Sequence, residues 1–244
     1  MLKNNHRLAP PTDEPPSYWM SFSDIMAGLL VIFILASINF VIELSETQKK
    51  VSHAMSRLNS LNQIRGNLLY EMKGSLQEQG IFLRVEDNNS VLRIPESQLY
   101  FNSMSHEIPA NQRAGVGKIG HALYNALLKD QRYLQIDTIF IEGHTDSRPA
   151  SSLMGNWGLS VYRAISVWEY WSEELSIGEN LKKLKNSLGK PMFSVSGYAS
   201  TRRIVIPDDS EEKRRKNRRI DIRFTMKKTA TVDYDNIKNI FQPK

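Results

Sequence analysis

The 244-residue sequence contains no cysteine, which excludes disulfide staples and thiolate metal sites and leaves the compartment open. Charge is missing from one long stretch. Between Ile25 and Ile42 run eighteen uncharged residues, broken only by Gly28, Ser37 and Asn39. The chain as a whole is polar, with a mean hydropathy of −0.40. Together with Trp19 to Ser23 ahead of it, the run reaches the roughly 20 residues a helix needs to cross a bilayer core. Proline is absent from Glu43 to Gly80, where Gly66 and Gly74 are the only internal glycines, so nothing there breaks a helix. No internal repeat is visible. His144 has no second histidine at ligand spacing, and there is no nucleophile elbow, so the pattern points to no metal site, no cofactor and no enzyme.

These absences divide the chain. Residues 1–18 hold four prolines among polar residues and read as a disordered leader. Residues 19–42 form the span, 43–80 a helical linker, 81–226 a folded domain and 227–244 a tail. A cleaved signal peptide is the competing reading of the amino terminus, with Lys3 and Arg7 as its basic region. The apolar run exceeds a usual signal core and follows a long Pro-rich leader, which favours a retained span. Lys3 and Arg7 on one side are balanced by Lys49 and Lys50 on the other, so charge does not set the orientation.

In the linker a heptad places Leu44, Val51, Leu58, Arg65 and Met72 at one core position, and Gln48, Met55, Asn62, Leu69 and Leu76 at the other. Two readings share this pattern: a coiled-coil seam between two chains, and a single helix packed on its own domain. Beyond Ile81 the period changes. Residues 81–85 and 91–94 read as a hairpin around Asp87 to Ser90. Helical spacing over 109–128, 159–175 and 211–218 alternates with strands at 136–141, 193–195 and 220–224. The alternation predicts an α/β sandwich with a mixed sheet.

Residues 202–228 contain eleven Lys or Arg against five Asp or Glu, an excess equal to the net charge of +6 of the whole chain. The segment lacks the interleaved aromatics that stack bases, which argues against a nucleic-acid partner. A solvated helix followed by an edge strand accounts for it, as does attraction to an anionic polymer such as the cell wall.

Gly143-His144-Thr145-Asp146 ends a strand, and Asn156-x-x-Leu159-Ser160-x-x-Arg163-Ala164 begins a helix. The spacing sets Asn156, Leu159 and Arg163 on one helical face, with Asp146 at the mouth of the strand. An acid and an arginine so placed suit a zwitterion, the carboxylate receiving an ammonium and the guanidinium gripping a carboxylate. They equally suit an internal ion pair that fixes the loop. With Gly197-Tyr198 and Asn217-Arg218-Arg219-Ile220 downstream, the pattern resembles the OmpA-like peptidoglycan-binding family over about 81–226. The resemblance implies that Asp146 and Arg163, with Asn156 and Leu159 beside them, hold diaminopimelate of the wall's stem peptide. It implies that Asn217, Arg218 and Arg219 are scaffold. Ser147 to Gly155 is longer than the family's usual loop, and Met104, Ala199-Ser200 and Lys213 also depart from its pattern.

Asp24 is the only ionisable residue between Trp19 and Ile42. A carboxylate within such a helix costs about 2.5–3.5 kcal/mol on insertion scales, which makes a role for it worth seeking. At the interface, the same residue would favourably meet the helix dipole. Trp19 to Met26 resembles the start of the span in MotB-type stator B subunits, and Ala27-Gly28 is nearer to the ZorB subunits of Zorya anti-phage defence systems than to flagellar relatives. That resemblance implies a single-pass inner-membrane protein with a cytoplasmic amino terminus and a periplasmic carboxy-terminal domain. It also implies a self-dimer inside a ring of five multi-span MotA/ZorA-like A subunits, with protons or sodium ions passing Asp24. A flagellar stator and a non-conducting wall tether are the alternatives.

Overall fold

A computed structural model describes residues 18–227. The assigned leader, apart from Tyr18, and the assigned tail, apart from Lys227, lie outside the described residues. The chain divides between His53 and Ala54 into two units.

The first unit consists, among its described residues, of the amino-terminal part of helix α1 (Tyr18–Glu78). It is long and apolar enough to cross a membrane, and large side chains such as Ile25, Leu30, Phe33, Leu35 and Ile42 are exposed. A helix that is apolar on every side has no core to face within its own unit and calls for an apolar surrounding.

Among its described residues the second unit is built on a five-stranded sheet of order β1-β2-β5-β3-β4. Its strands are β1 (Arg84–Glu86), β2 (Val91–Pro95), β3 (Ile136–His144), β4 (Phe193–Gly197) and β5 (Arg219–Met226). Only β3 and β4 run parallel; the other neighbours are antiparallel, giving the mixed sheet expected. The helices are α2 (Ala110–Leu128), α3 (Gly155–Glu169), α4 (Gly178–Lys183) and α5 (Glu211–Asn217). Leu92, Ile94, Ile139, Ile141, Ile220, Ile222 and Phe224 alternate along the strands and meet Val116, Ile119 and Leu123 of α2, Val167 of α3 and Trp171. The same core includes Leu68, Leu69, Met72 and Leu76 from the end of α1. Glu71 joins Arg132 and Lys129, each at 2.9 Å, and Arg65 donates to Asn88 O at 3.1 Å, which holds this end of the helix on the domain. Part of the heptad is therefore a packed face, whereas Leu44, Val51, Met55 and Leu58 remain exposed.

The expectation of an edge strand at 220–224 is corrected: β5 lies between β2 and β3 at the centre of the sheet. Its alternation of Arg219, Asp221 and Arg223 with Ile220, Ile222 and Phe224 arises because the face away from the core carries a lattice of charges. Asp221 stands opposite Arg93 on one side and Glu142 on the other. Arg93 grips Asp221 with two bonds of 2.9 and 3.1 Å, Arg219 adds one of 3.0 Å, and Arg223 reaches Glu142 at 2.9 Å. Burial alone would raise the Asp221 carboxyl, but the bond from Arg93 and the nearby Arg219 outweigh it and hold it low. His144, 2% exposed, stacks on Tyr198 with ring centres 5.3 Å apart, and the Arg202 guanidinium lies 3.7 Å from the centre of the Tyr198 ring.

The divided helix makes a direct prediction. In the unit beginning at Ala54, Leu69→Ala removes a fully buried side chain and should cost about 2–5 kcal/mol in chemical unfolding. Leu58→Ala, at a site 47% exposed, should stay within about 0.5 kcal/mol. Equal losses would contradict the packing.

The lattice makes a second prediction. Burial, and then the neighbouring Arg219, push the His144 imidazole down to about 3. An unfolded histidine titrates at about 6.5, so between these values the unfolded chain takes up a proton that the folded one refuses. Stability should fall as pH drops from about 6.5 towards 3, and His144→Gln should flatten that part of the slope. Parallel slopes for the two proteins in urea unfolding would contradict it.

Candidate functional site

The site begins with a close approach. Gly143 of β3 and Gly197 of β4 are register partners, and the first turns of α3 lie directly against them. A Cβ at Gly143 would overlap Ser160 O, and one at Gly197 would fall 2.5 Å from Ser160 Oγ. Only glycine permits this contact. Ser160 completes the seam by donating to Trp157 O at 2.9 Å and accepting from Ala199 N at 3.0 Å. The start of α3 is thereby fixed beside the end of β3, and the chain leaving β3 carries Asp146 towards it.

Asp146, Asn156, Leu159 and Arg163 all line one cleft of about 1050 Å³. Asp146 is buried and accepts from Arg148 N at 3.0 Å, Arg148 Nη2 at 2.9 Å and Arg218 Nη1 at 2.6 Å. Burial by itself would raise its carboxyl. The bonds from Arg148 and Arg218 outweigh burial and keep it below the usual carboxylate range. Arg163 is buried as well, donating to Ser105 O at 3.0 Å and Asn102 O at 3.3 Å, with its guanidinium 5.0 Å from the centre of the Phe101 ring. Burial, followed by the nearby charge of Arg218, lowers it to about 10, so it stays cationic at neutral pH. Asn156 donates to Arg148 O at 2.9 Å, which ties the long 147–155 loop to α3. Leu159 supplies an apolar wall.

Asp146 and Arg163 share the cleft without pairing with each other. No carboxylate lies within ion-pair distance of Arg163 among the described residues, so the reading of these two as an internal ion pair does not describe the structure. The partners of Asp146 are instead Arg148 and Arg218, the second of which also holds Glu96 and Glu211. Sequence reasoning placed Arg218 with the scaffold beside Asn217 and Arg219. For those two the structure agrees. Asn217 accepts from Ile204 N and Val205 N and donates to Val205 O and Asp208, while Arg219 binds Asp221 and the carbonyls of Asn217 and Arg202. Arg218 differs because a strand alternates: Arg218 precedes β5 and turns to the cleft. The cleft is lined by seven Arg or Lys against five Asp or Glu, so it favours a ligand bearing carboxylates.

Glu142, His144 and Asp221 bring one ligand atom each within 4.8 Å of one another, the kind of grouping that can hold a metal. The two carboxylates already carry Arg93, Arg219 and Arg223, so the cluster has a cationic excess and does not fit a further cation. Among the described residues both ring nitrogens of His144 lack a hydrogen-bond partner, its Nε2 lying 3.5 Å from Asp221 Oδ2.

Residues 100–218 match the OmpA family. Over 216 residues the chain is 24% identical to the Zorya protein ZorB of Escherichia coli (strain ATCC 8739), covering 86% of this chain and 88% of that one. It is 26% identical over 235 residues to the uncharacterized protein YtxE of Bacillus subtilis (strain 168), covering 88% and 91%. Among solved structures, the periplasmic domain of Helicobacter pylori MotB is 25% identical with a TM-score of 0.49, covering 66% of this chain and 92% of that one. The cell wall anchor of the T6SS from Pseudomonas aeruginosa is 22% identical with a TM-score of 0.47, covering 65% and 97%. Residues 100–218, which hold the cleft and its seam, thus match the OmpA family, and the chain around them is similar in sequence to ZorB over most of its length.

Proposed function

We propose that this chain is the wall-anchored B subunit of an ion-driven inner-membrane motor of the Zorya type. The observation that carries the wall-binding half is the cleft that holds both Asp146 and Arg163, the latter without a carboxylate partner among the described residues, in a segment that matches the OmpA family. A zwitterionic stem-peptide residue such as diaminopimelate offers an ammonium to Asp146 and a carboxylate to Arg163, in the two-point geometry a guanidinium favours. Phe101, Leu159 and the aliphatic parts of the lining arginines give its methylene chain an apolar bed.

The motor half rests on the likeness to ZorB and on Asp24 at the start of an otherwise charge-free span. Protonation neutralises a carboxylate and lets it lie against lipid or protein, whereas ionisation demands water or a cation. A carboxylate cycling between these states past a multi-span A subunit transmits ion entry as motion. In this reading the amino terminus is cytoplasmic, the OmpA-family domain is periplasmic, and two B chains stand inside five A subunits. Exposed Leu44, Val51, Met55 and Leu58 suit pairing with a second copy. The wall then supplies the fixed point against which the A ring turns.

The full chain in detergent should sediment with purified peptidoglycan. Arg163→Gln removes the carboxylate grip and should weaken retention at least ten-fold, consistent with roughly 1.5–3 kcal/mol for a hydrogen bond to a charged group. Its unfolding should change little if Ser105 and Asn102 carbonyls still receive the amide. Full retention by a folded Arg163→Gln would remove Arg163 from the site.

A further inference from the structure

Both oxygens of Asp146 are occupied in the structure, and this bears on how a ligand ammonium gains entry. Oδ1 accepts from the backbone N of Arg148 at 3.0 Å, and Oδ2 accepts from Arg148 Nη2 at 2.9 Å and Arg218 Nη1 at 2.6 Å. The two guanidiniums are held very differently. The Arg218 side chain is 14% exposed and clamped between Glu96, Asp146 and Glu211. The Arg148 side chain is 57% exposed and sits on the loop at the solvent side of Asp146. A second acid lies in reach of it, with Glu211 Oε2 at 3.7 Å from the same Nη2. Arg148 thus stands where an incoming cation has to stand, and beside it lies Glu211, whose Oε2 also accepts from Arg214 Nε at 3.1 Å.

We infer that Arg148 is a built-in competitor for the ligand's ammonium, a specificity residue that caps Asp146 and moves to Glu211 when a ligand displaces it. The inference rests on the reading of Asp146 as the ammonium site. A ligand with only a carboxylate meets Arg163 and leaves the cap closed. One with an ammonium at the right reach exchanges a cation for a cation at Asp146, so net charge there is unchanged and the discrimination falls on geometry. The displaced guanidinium keeps a partner, so opening leaves no charge stranded. Truncating Arg148 spares the loop, because its backbone N still donates to Asp146 and its carbonyl still accepts from Asn156.

The test uses the full chain in detergent and purified diaminopimelate-type peptidoglycan, either untreated or with its free amines acetylated. Arg148→Ala should bind untreated peptidoglycan roughly two- to five-fold more tightly, the size expected for losing one exposed competing ion pair. On acetylated peptidoglycan, which offers no ammonium, that gain should vanish. Arg148→Lys keeps a cation on the loop and should stay near the parent protein. Weaker binding by Arg148→Ala, unchanged binding, or an equal gain on acetylated peptidoglycan overturns the inference. If Arg163→Gln loses retention while Arg148→Ala gains none, wall binding stands and the cap alone falls. If the folded parent and both Arg148 variants fail to sediment, the wall reading falls and takes the cap with it.

Discussion

The contact of Ser160 with Gly143 and Gly197 is the constraint on which the site depends. Two strands and a helix meet there with no side chain between them, because a Cβ on either glycine would overlap Ser160. That seam sets the first turns of α3 at a fixed height against the end of β3. Asn156, Leu159 and Arg163 then project at helical spacing into the same cleft that Asp146 enters from the strand side. Displacing the helix by one residue would rotate Arg163 by about 100° away from it.

Charge does the remaining positioning. On the face of the sheet away from the core, Arg93, Arg219 and Arg223 neutralise Asp221 and Glu142 in a cross-strand lattice. At its margin Arg218 leaves the lattice and reaches Glu96, Asp146 and Glu211, linking the sheet to the cleft and to α5. α5 itself is arranged for its dipole. Ser210 caps its start, Glu211 and Glu212 occupy the first turn, and Arg214, Arg215 and Lys216 the last. The basic segment that dominates the net charge of the chain is thus largely internal wiring.

Much of this was legible in the sequence. The apolar alternation of Ile220, Ile222 and Phe224 and the helical spacing of Val116, Ile119 and Leu123 record which side of each element meets the core, so the mixed α/β sandwich could be read. The glycines at 143 and 197 and Ser160 stood in the recognised pattern, and the seam explains why those residue types occur there. Other features escaped for physical reasons. The heptad of α1 has one period throughout, yet Leu69, Met72 and Leu76 are buried in the domain while Met55 and Leu58 stay exposed; periodicity describes a face and not what covers it. The charged alternation of β5 suggested an edge because a buried face of paired ions looks, residue by residue, like a solvated one. Arg218 gains its meaning from Asp146 and Glu96, and Arg148 from its second acid Glu211, all far away in sequence, which no local pattern encodes.

The proposed function couples a domain proposed to grip the wall to an apolar helix that begins with one carboxylate, and its central claim is that this carboxylate moves ions. The direct measurement is the proposed ion-driven activity in cells carrying Asp24→Asn, read beside co-purification of the variant with the proposed multi-span partner. Asparagine keeps the shape and hydrogen bonding of aspartate but cannot gain and lose a proton. The account predicts unchanged assembly and wall retention with activity abolished. An assembled Asp24→Asn complex with full activity would contradict it and leave a passive tether to the wall.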